Sequence, residues 1–166
     1  DEKPKQHNKK VKKLERYLDV TKAELYFARR VIFVEGSAEL ILINELAKRA
    51  TPPFNLREQA VSLISAEGLN FDCFLPLFGP NALPVQVSVI TDADPEKEDI
   101  DDEKVETFPS LEDDIEISYN TKKLIRDFKN SFVNVFHGLK TLEYDLALYE
   151  ENRKLMLEAL SELHPK

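Results

Sequence analysis

The run Val31-Ile32-Phe33-Val34 constrains this chain more than any other feature. Four consecutive β-branched or aromatic residues without polar alternation describe a strand buried on both faces, and such strands belong to parallel sheets covered by helices. The run stops at Glu35-Gly36. Ser37 then opens an apolar-periodic helix to about Arg49, ended by Thr51-Pro52-Pro53. The alternation repeats: a strand over 60–64 closed by Glu67-Gly68, a helix over 70–78 ended by Gly79-Pro80, and a third strand over 85–90 running into Thr91-Asp92-Ala93-Asp94-Pro95. Leu124, Ile125 and Phe128 predict a helix over 120–130, followed by a fourth apolar run over 131–136 that Gly138 breaks. Leu142, Leu146, Tyr149, Leu155 and Leu157 predict one C-terminal helix from Thr141 to near Leu163. Upstream, Val11, Leu14, Leu18 and Leu25 share a helical spacing, and Thr21-Lys22-Ala23-Glu24 fits a capping box for a second helix to about Ala28. The predicted fold class is α/β, with a parallel sheet of about four strands flanked by helices.

Composition narrows the function classes. With 166 residues, 42% hydrophobic and 33% charged, the chain is long and apolar enough for one cored domain. No apolar run approaches the roughly 18 residues of a membrane span, and Asp1-Glu2-Lys3-Pro4-Lys5 lacks the apolar stretch of a signal peptide. The single cysteine, Cys73, excludes an intramolecular disulfide and a cysteine-based metal site and points to a reducing, cytoplasmic compartment. Its setting, Phe71-Asp72-Cys73-Phe74-Leu75, is that of a small buried hydrophobe. A chain without an initiator Met that enters a helical pattern almost at once is expected to be a piece of a longer protein.

The net charge of −8 is concentrated: 13 Asp or Glu against two Lys lie between Asp92 and Glu116. The rest of the chain has 21 basic and 18 acidic residues, so an anionic partner is not excluded. The acidic stretch is expected to be a solvated loop or insertion; its functional reading is a gate that repels DNA or recruits cations. The Lys-rich residues 3–16 are a solvated helix face or a DNA-backbone contact.

In an open parallel sheet, sites form at the carboxyl ends of the strands. Glu35 stands at the end of the first, Ser65 to Glu67 at the second, Asp92 and Asp94 at the third, and Glu39 lies one turn into the first helix. Carboxylates gathered in one crevice need positive charge to stay ionised, and hard oxygen ligands suit Mg²⁺ or Mn²⁺. The alternative is ordinary surface carboxylates at turns and helix N-termini.

The local sequences carry a resemblance. Val31-Ile32-Phe33-Val34-Glu35-Gly36-Ser37-Ala38-Glu39 resembles the strand and Glu-Gly-x-x-Glu motif of Toprim domains, and Val87-Ser88-Val89-Ile90-Thr91-Asp92-Ala93-Asp94-Pro95 their strand followed by Asp-x-Asp. Residues 14–28, Gly68-Leu69-Asn70-Phe71 and Leu139-Lys140-Thr141-Leu142-Glu143-Tyr144-Asp145-Leu146-Ala147 are similar to segments of the OLD (overcoming lysogenization defect) branch. The resemblance covers most of 13–149. It implies a helical lead-in over 1–28, a Toprim catalytic domain over 29–150 with an acidic insertion at about 96–118, and the end of a helix over 151–166.

What the resemblance implies functionally is a DNA endonuclease or nickase hydrolysing phosphodiester bonds with two Mg²⁺ or Mn²⁺ ions. Glu35, Glu39, Asp92, Asp94 and Glu143 are then the metal ligands, with Glu35 alternatively a general base and Lys140 the cation facing the transition-state phosphate. Ser65 is a lesser candidate hydroxyl. Lys140 and Glu143 also fit an exposed ion pair three residues apart on a helix. The expected partners are DNA and the ABC-type ATPase domain that family members carry, and a homodimer is compatible with such a domain. This chain contains no Gly-x-x-x-x-Gly-Lys-Ser/Thr among its four glycines, so no ATP binding is expected here. Two other readings stand: a Toprim module that binds metal and nucleic acid without hydrolysis, and a receiver-like or flavodoxin-like signalling domain. The latter is disfavoured by Glu-Gly after the first strand and Asp-x-Asp after the third. No motif nominates Tyr17, Tyr26, Tyr119, Tyr144 or Tyr149 as a topoisomerase nucleophile. His7 and His164 are expected to be solvated, and His137 structural or phosphate-contacting.

Overall fold

The structure, a computed structural model, describes residues 11, 12, 15, 25, 27–68, 70–100 and 103–164. Its contacts divide into two compact units, 1–90 with 124–136 and 91–123 with 137–166. Nearly all of the expected lead-in helices, with the Thr21 capping box and His7, lie outside the described residues.

The first unit holds a four-stranded sheet in the order β2-β1-β3-β6. Its strands are β1 (Arg30–Val34), β2 (Val61–Ser65), β3 (Gln86–Thr91) and β6 (Val133–His137). β1 pairs in parallel with β2 and with β3, so Phe33 stands level with Ile64 on one side and Val89 on the other. Val31, Phe33, Ile64, Val87 and Val89 form one buried cluster with Phe71, Phe74, Leu75 and Phe78. Phe33 stacks on Phe74 at 5.4 Å between ring centroids and meets Phe78 edge-on at 6.0 Å. α1 (Ser37–Arg49) follows β1 as the periodicity predicts. The chain leaves β2 on one side of β1 and enters β3 on the other. The order therefore reverses at β1 and β3, and carboxyl strand ends at such a reversal are where α/β sheets bind ligands.

The helix expected over 70–78 is shorter. α2 covers only Phe71–Phe74 and continues as a 3₁₀ turn over Leu75–Leu77. Pro76 has no N–H and its ring crowds the preceding turn, which ends the α-helical ladder. Cys73 is buried in this segment, as expected. α3 (Tyr119–Phe128) sends Leu124 and Phe128 against the core cluster. β6 starts later than the apolar run suggests, because the Asn130 side-chain carbonyl accepts from Phe132 N at 2.8 Å and Val133 N at 3.1 Å. That turn takes up the first residues of the run.

In the second unit the acidic stretch is not all loop. β4 (Glu98–Ile100) and β5 (Glu103–Val105) pair antiparallel, Glu98 opposite Val105. The single C-terminal helix is two, α4 (Leu142–Ala147) and α5 (Glu150–Leu163). Tyr149 between them has extended backbone, and Asn152 Nδ2 donates to Leu146 O at 3.2 Å, satisfying a carbonyl at the end of α4. No described helix is long and apolar enough to cross a membrane.

Candidate functional site

In the first unit the end of β1 is held by its own neighbours. Glu35 O accepts from Ser65 Oγ at 3.2 Å and from Gly68 N at 2.8 Å, and Ala66 N donates to Val34 O at 2.8 Å. Ser65, considered as a hydroxyl for chemistry, therefore bonds the Glu35 backbone. Gly36 is the N-cap of α1, and its N–H donates to Glu39 Oε2 at 3.0 Å. This is the returning half of a capping box, with glycine supplying no side chain for the other half. A Cβ on Gly36 would lie 3.2 Å from that same oxygen, so the Glu-Gly-x-x-Glu spacing has a packing reason as well as a chemical one. Glu35 and Glu39 are both half-buried.

In the second unit, Asp92, Ala93 and Asp94 form a turn fixed from two directions. From α3, the buried Thr121 donates through Oγ1 to Asp92 O at 3.1 Å, while Ser118 N donates to Ala93 O at 3.0 Å. From the turn before α4, Lys140 O accepts from Ala93 N at 2.9 Å and from Asp94 N at 3.3 Å, and Leu142 N donates to Asp92 Oδ1 at 3.2 Å. Ala93 is fully buried and Asp94 exposed at φ +43°, a left-handed conformation that Asp tolerates better than most residues. The Asp-x-Asp turn and the Lys140 turn are thus one hydrogen-bonded structure.

Asp145 holds that structure together and was not among the residues singled out from sequence. Its carboxylate accepts from Leu139 N at 3.2 and 3.0 Å and from Lys140 N at 3.1 Å. A Cβ on Gly138 would stand 1.6 Å from Asp145 Oδ2, so only glycine fits there. Gly138 close before an acidic first turn was the available signal. Thr141 caps α4 by accepting from Tyr144 N at 3.3 Å.

Lys140 does not pair with Glu143. Its Nζ bonds Glu106 Oε2 at 3.2 Å and Thr107 O at 3.0 Å and sits 3.7 Å from the Phe108 ring centroid. Hydrogen bonding from Lys140 is the first cause that holds the Glu106 carboxyl below the ordinary glutamate range, followed by the charges of Lys140 and Lys97. Glu143 is exposed in the first turn of α4. His137 is exposed, with Nδ1 2.9 Å from Gly138 O, and His164 is exposed near the chain end.

The donors for a metal are carboxylate oxygens, Glu35 and Glu39 in one unit and Asp92 and Asp94 in the other. These are hard ligands suited to Mg²⁺ or Mn²⁺. One oxygen of Glu39 and one of Asp92 accept from backbone N–H groups, which orients each carboxylate. By donor chemistry the carboxylates of either unit are of the kind a hard divalent ion takes. Among the described residues no three His, Cys, Asp or Glu side chains are grouped to hold a metal.

Residues 26–94 match the family model described as overcoming lysogenization defect protein-like, TOPRIM domain. This segment is similar to an OLD-like TOPRIM domain. It includes Glu35, Glu39, Asp92 and Asp94, while Lys140 and Glu143 lie beyond it. Among solved structures, the C-terminal region of the Xanthomonas campestris pv. campestris OLD protein phased with platinum is 22% identical at a TM-score of 0.51, with 86% of this chain and 66% of that one covered. The same region phased with mercury is 24% identical at 0.50, with 84% and 67% covered. These two show that the fold is shared. The C-terminal region of the Burkholderia pseudomallei OLD protein is 27% identical at 0.49, with 70% and 56% covered. This chain therefore spans from just over half to about two thirds of those regions. No curated protein matches it.

Proposed function

We propose that this chain is the nuclease part of an OLD-type protein, hydrolysing DNA phosphodiester bonds with divalent metal. One observation carries the reading: the Asp92-Ala93-Asp94 turn and the Lys140 turn are stitched together, through Lys140 O to Ala93 N and Asp94 N and through Asp92 Oδ1 to Leu142 N. Anionic ligands and a cation on one rigid pair of turns suit a phosphate ester, which needs metal on its oxygens and a positive side chain against its developing charge. Glu35, Glu39, Asp92 and Asp94 would hold Mg²⁺ or Mn²⁺, with Glu143 a further candidate. Two such ions when bound supply an activated water and neutralise the leaving oxygen.

The chain's own residues do the rest. Asp145 fixes the backbone that carries Lys140, so the ammonium reaches the phosphate from a set origin. Thr121 and Leu142 hold Asp92 at its carbonyl and its carboxylate. Glu35 is a ligand or, alternatively, the base that takes the proton from the attacking water at a carboxylate oxygen. DNA and an ATPase domain of the longer protein are the proposed partners, and a cytoplasmic location and a homodimer are consistent with the reading.

A module that binds metal and nucleic acid without hydrolysis is the second reading. The engagement of Glu39 Oε2 by Gly36 N and of Lys140 by Glu106 favours it. Cleavage of supercoiled plasmid with Mg²⁺, Mn²⁺, Ca²⁺ or EDTA, alongside Asp92→Ala and Glu35→Ala, separates the two. Nicked or linear product that requires Mg²⁺ or Mn²⁺ and is lost in both variants is the expected result. DNA binding with no cleavage at micromolar protein selects the second reading. Cleavage that survives both substitutions overturns the residue assignment.

A further inference from the structure

The surroundings of Lys140 lie within the second unit and are built by the acidic stretch. An ammonium offers three donors and no acceptor. Here Glu106 Oε2 and Thr107 O take two contacts at 3.2 and 3.0 Å, and the Phe108 ring face lies 3.7 Å away, with Tyr144 at 5.8 Å. The Lys140 side chain retains 17% of its exposure. A carboxylate oxygen, a carbonyl oxygen and an aromatic face are thus arranged around the cation much as phosphate oxygens and a base would be. The layer that covers it is thin: Glu106 is 54% exposed and Phe108 65% exposed.

We propose that residues 106–109 are an internal latch that occupies Lys140 in place of a DNA phosphate, so that the acidic stretch and the nucleic-acid backbone compete for one ammonium. The proposal rests on the reading of Lys140 as a phosphate contact. Within the latch Pro109 is buried, whereas Glu106 and Phe108 are exposed and held by contacts of the kind that open. Tyr144 Oη donates to Pro109 O at 2.8 Å, Thr107 Oγ1 donates to Glu96 O at 2.9 Å, and Lys97 shares Glu106 at 3.5 Å. β5, which leads into it, is exposed at all three residues. Exposed ion pairs and single hydrogen bonds hold a segment by small free energies. A phosphate brings a full charge to the same ammonium, and displacing the latch also moves a strongly acidic stretch away from incoming DNA.

The test is fluorescence anisotropy of a labelled DNA duplex with this chain in Ca²⁺, comparing the unsubstituted chain with Glu106→Gln, Phe108→Ala, Lys140→Ala and the double variant Glu106→Gln/Lys140→Ala. Glu103→Gln, which removes the same charge from β5, controls for general repulsion. Binding about two- to fivefold tighter in Glu106→Gln and Phe108→Ala, the scale of an exposed ion pair, is expected. That gain should vanish in the Lys140→Ala background. An equal gain from Glu103→Gln, a gain that persists without Lys140, or no binding by any variant overturns the latch. Plasmid cleavage measured on the same proteins keeps the two proposals apart. Tighter binding without cleavage supports the latch and removes the nuclease reading, whereas metal-dependent cleavage with unchanged Glu106→Gln affinity does the reverse.

Discussion

At the scale of single residues, the turn before α4 is set by an excluded volume. Asp145 fills the space where any side chain at 138 would begin, and its carboxylate is spent on the N–H groups of Leu139 and Lys140. Gly138→Ala should therefore destabilise the protein by about 1–3 kcal/mol, the usual range for overpacking. Asp145→Ala costs stability too, by leaving those N–H groups without their acceptor. Because each substitution disturbs the same contact, the double variant should lose less than the sum, and a urea-denaturation double-mutant cycle measures this. Additive losses would show that the two positions do not communicate. Thr121 makes a second case. Its hydroxyl is buried and donates to Asp92 O, so Thr121→Val should lower stability by about 1–3 kcal/mol. An unchanged denaturation midpoint would remove that bond from the account of the site. Neither Asp145 nor Thr121 stands out in the sequence, because their acceptor and donor roles depend on backbone groups supplied by other turns.

Elements show where periodicity suffices and where it does not. β1, α1, β2 and β3 fall within a residue or two of their expected positions, since each is bounded by its own Gly, Pro or polar turn. The break between α4 and α5 has no Gly or Pro. Its carbonyls are satisfied by Asn152 and Arg153 from the next helix, so the apolar spacing runs through it. The β4–β5 pairing is hidden by its charge, since Glu, Asp and Lys are poor strand formers. At this scale the acidic stretch should respond to pH in a defined direction. Glu106 is held below the ordinary glutamate range, first by the Lys140 hydrogen bond. Its contribution is complete above the ordinary range and is lost as pH falls through the lowered value. NMR titration of side-chain carboxyls should find Glu106 protonating at lower pH than it does in a Lys140→Ala variant; the same titration point in both proteins would break the pairing.

For the whole molecule, the sheet supplies the buried core. Phe33 is fully buried between Phe74 and Phe78, so Phe33→Ala should cost about 3–5 kcal/mol, a large part of a typical domain's stability. Denaturant unfolding reads this directly, and a loss under 1 kcal/mol (about a fivefold change in the folding equilibrium) would place the core elsewhere. A metal that binds only the folded state raises stability by mass action, about 2.7 kcal/mol at a hundredfold excess over its Kd. Mg²⁺ or Mn²⁺ should therefore raise Tm in the unsubstituted chain and not in Asp92→Ala, with EDTA reversing the rise. A Tm indifferent to both ions argues against the carboxylates as ligands, whatever the activity.

The sequence by itself determined the alternation of buried strands and helices, and with it Glu35, Asp92 and Asp94 at carboxyl strand ends. Those properties follow from local periodicity and from turn residues a few positions away. Only the tertiary structure decided which partners these residues meet. Lys140 pairs with Glu106, 34 positions away, rather than with Glu143 at a helical neighbour's distance. Asp92 receives the N–H of Leu142, 50 positions on. Such pairings are chosen by which backbone donors remain unsatisfied once strands and helices have packed, and a buried or half-buried polar group left without a partner is costly. That requirement acts only after the chain is folded, so it leaves no periodic trace in the order of residues.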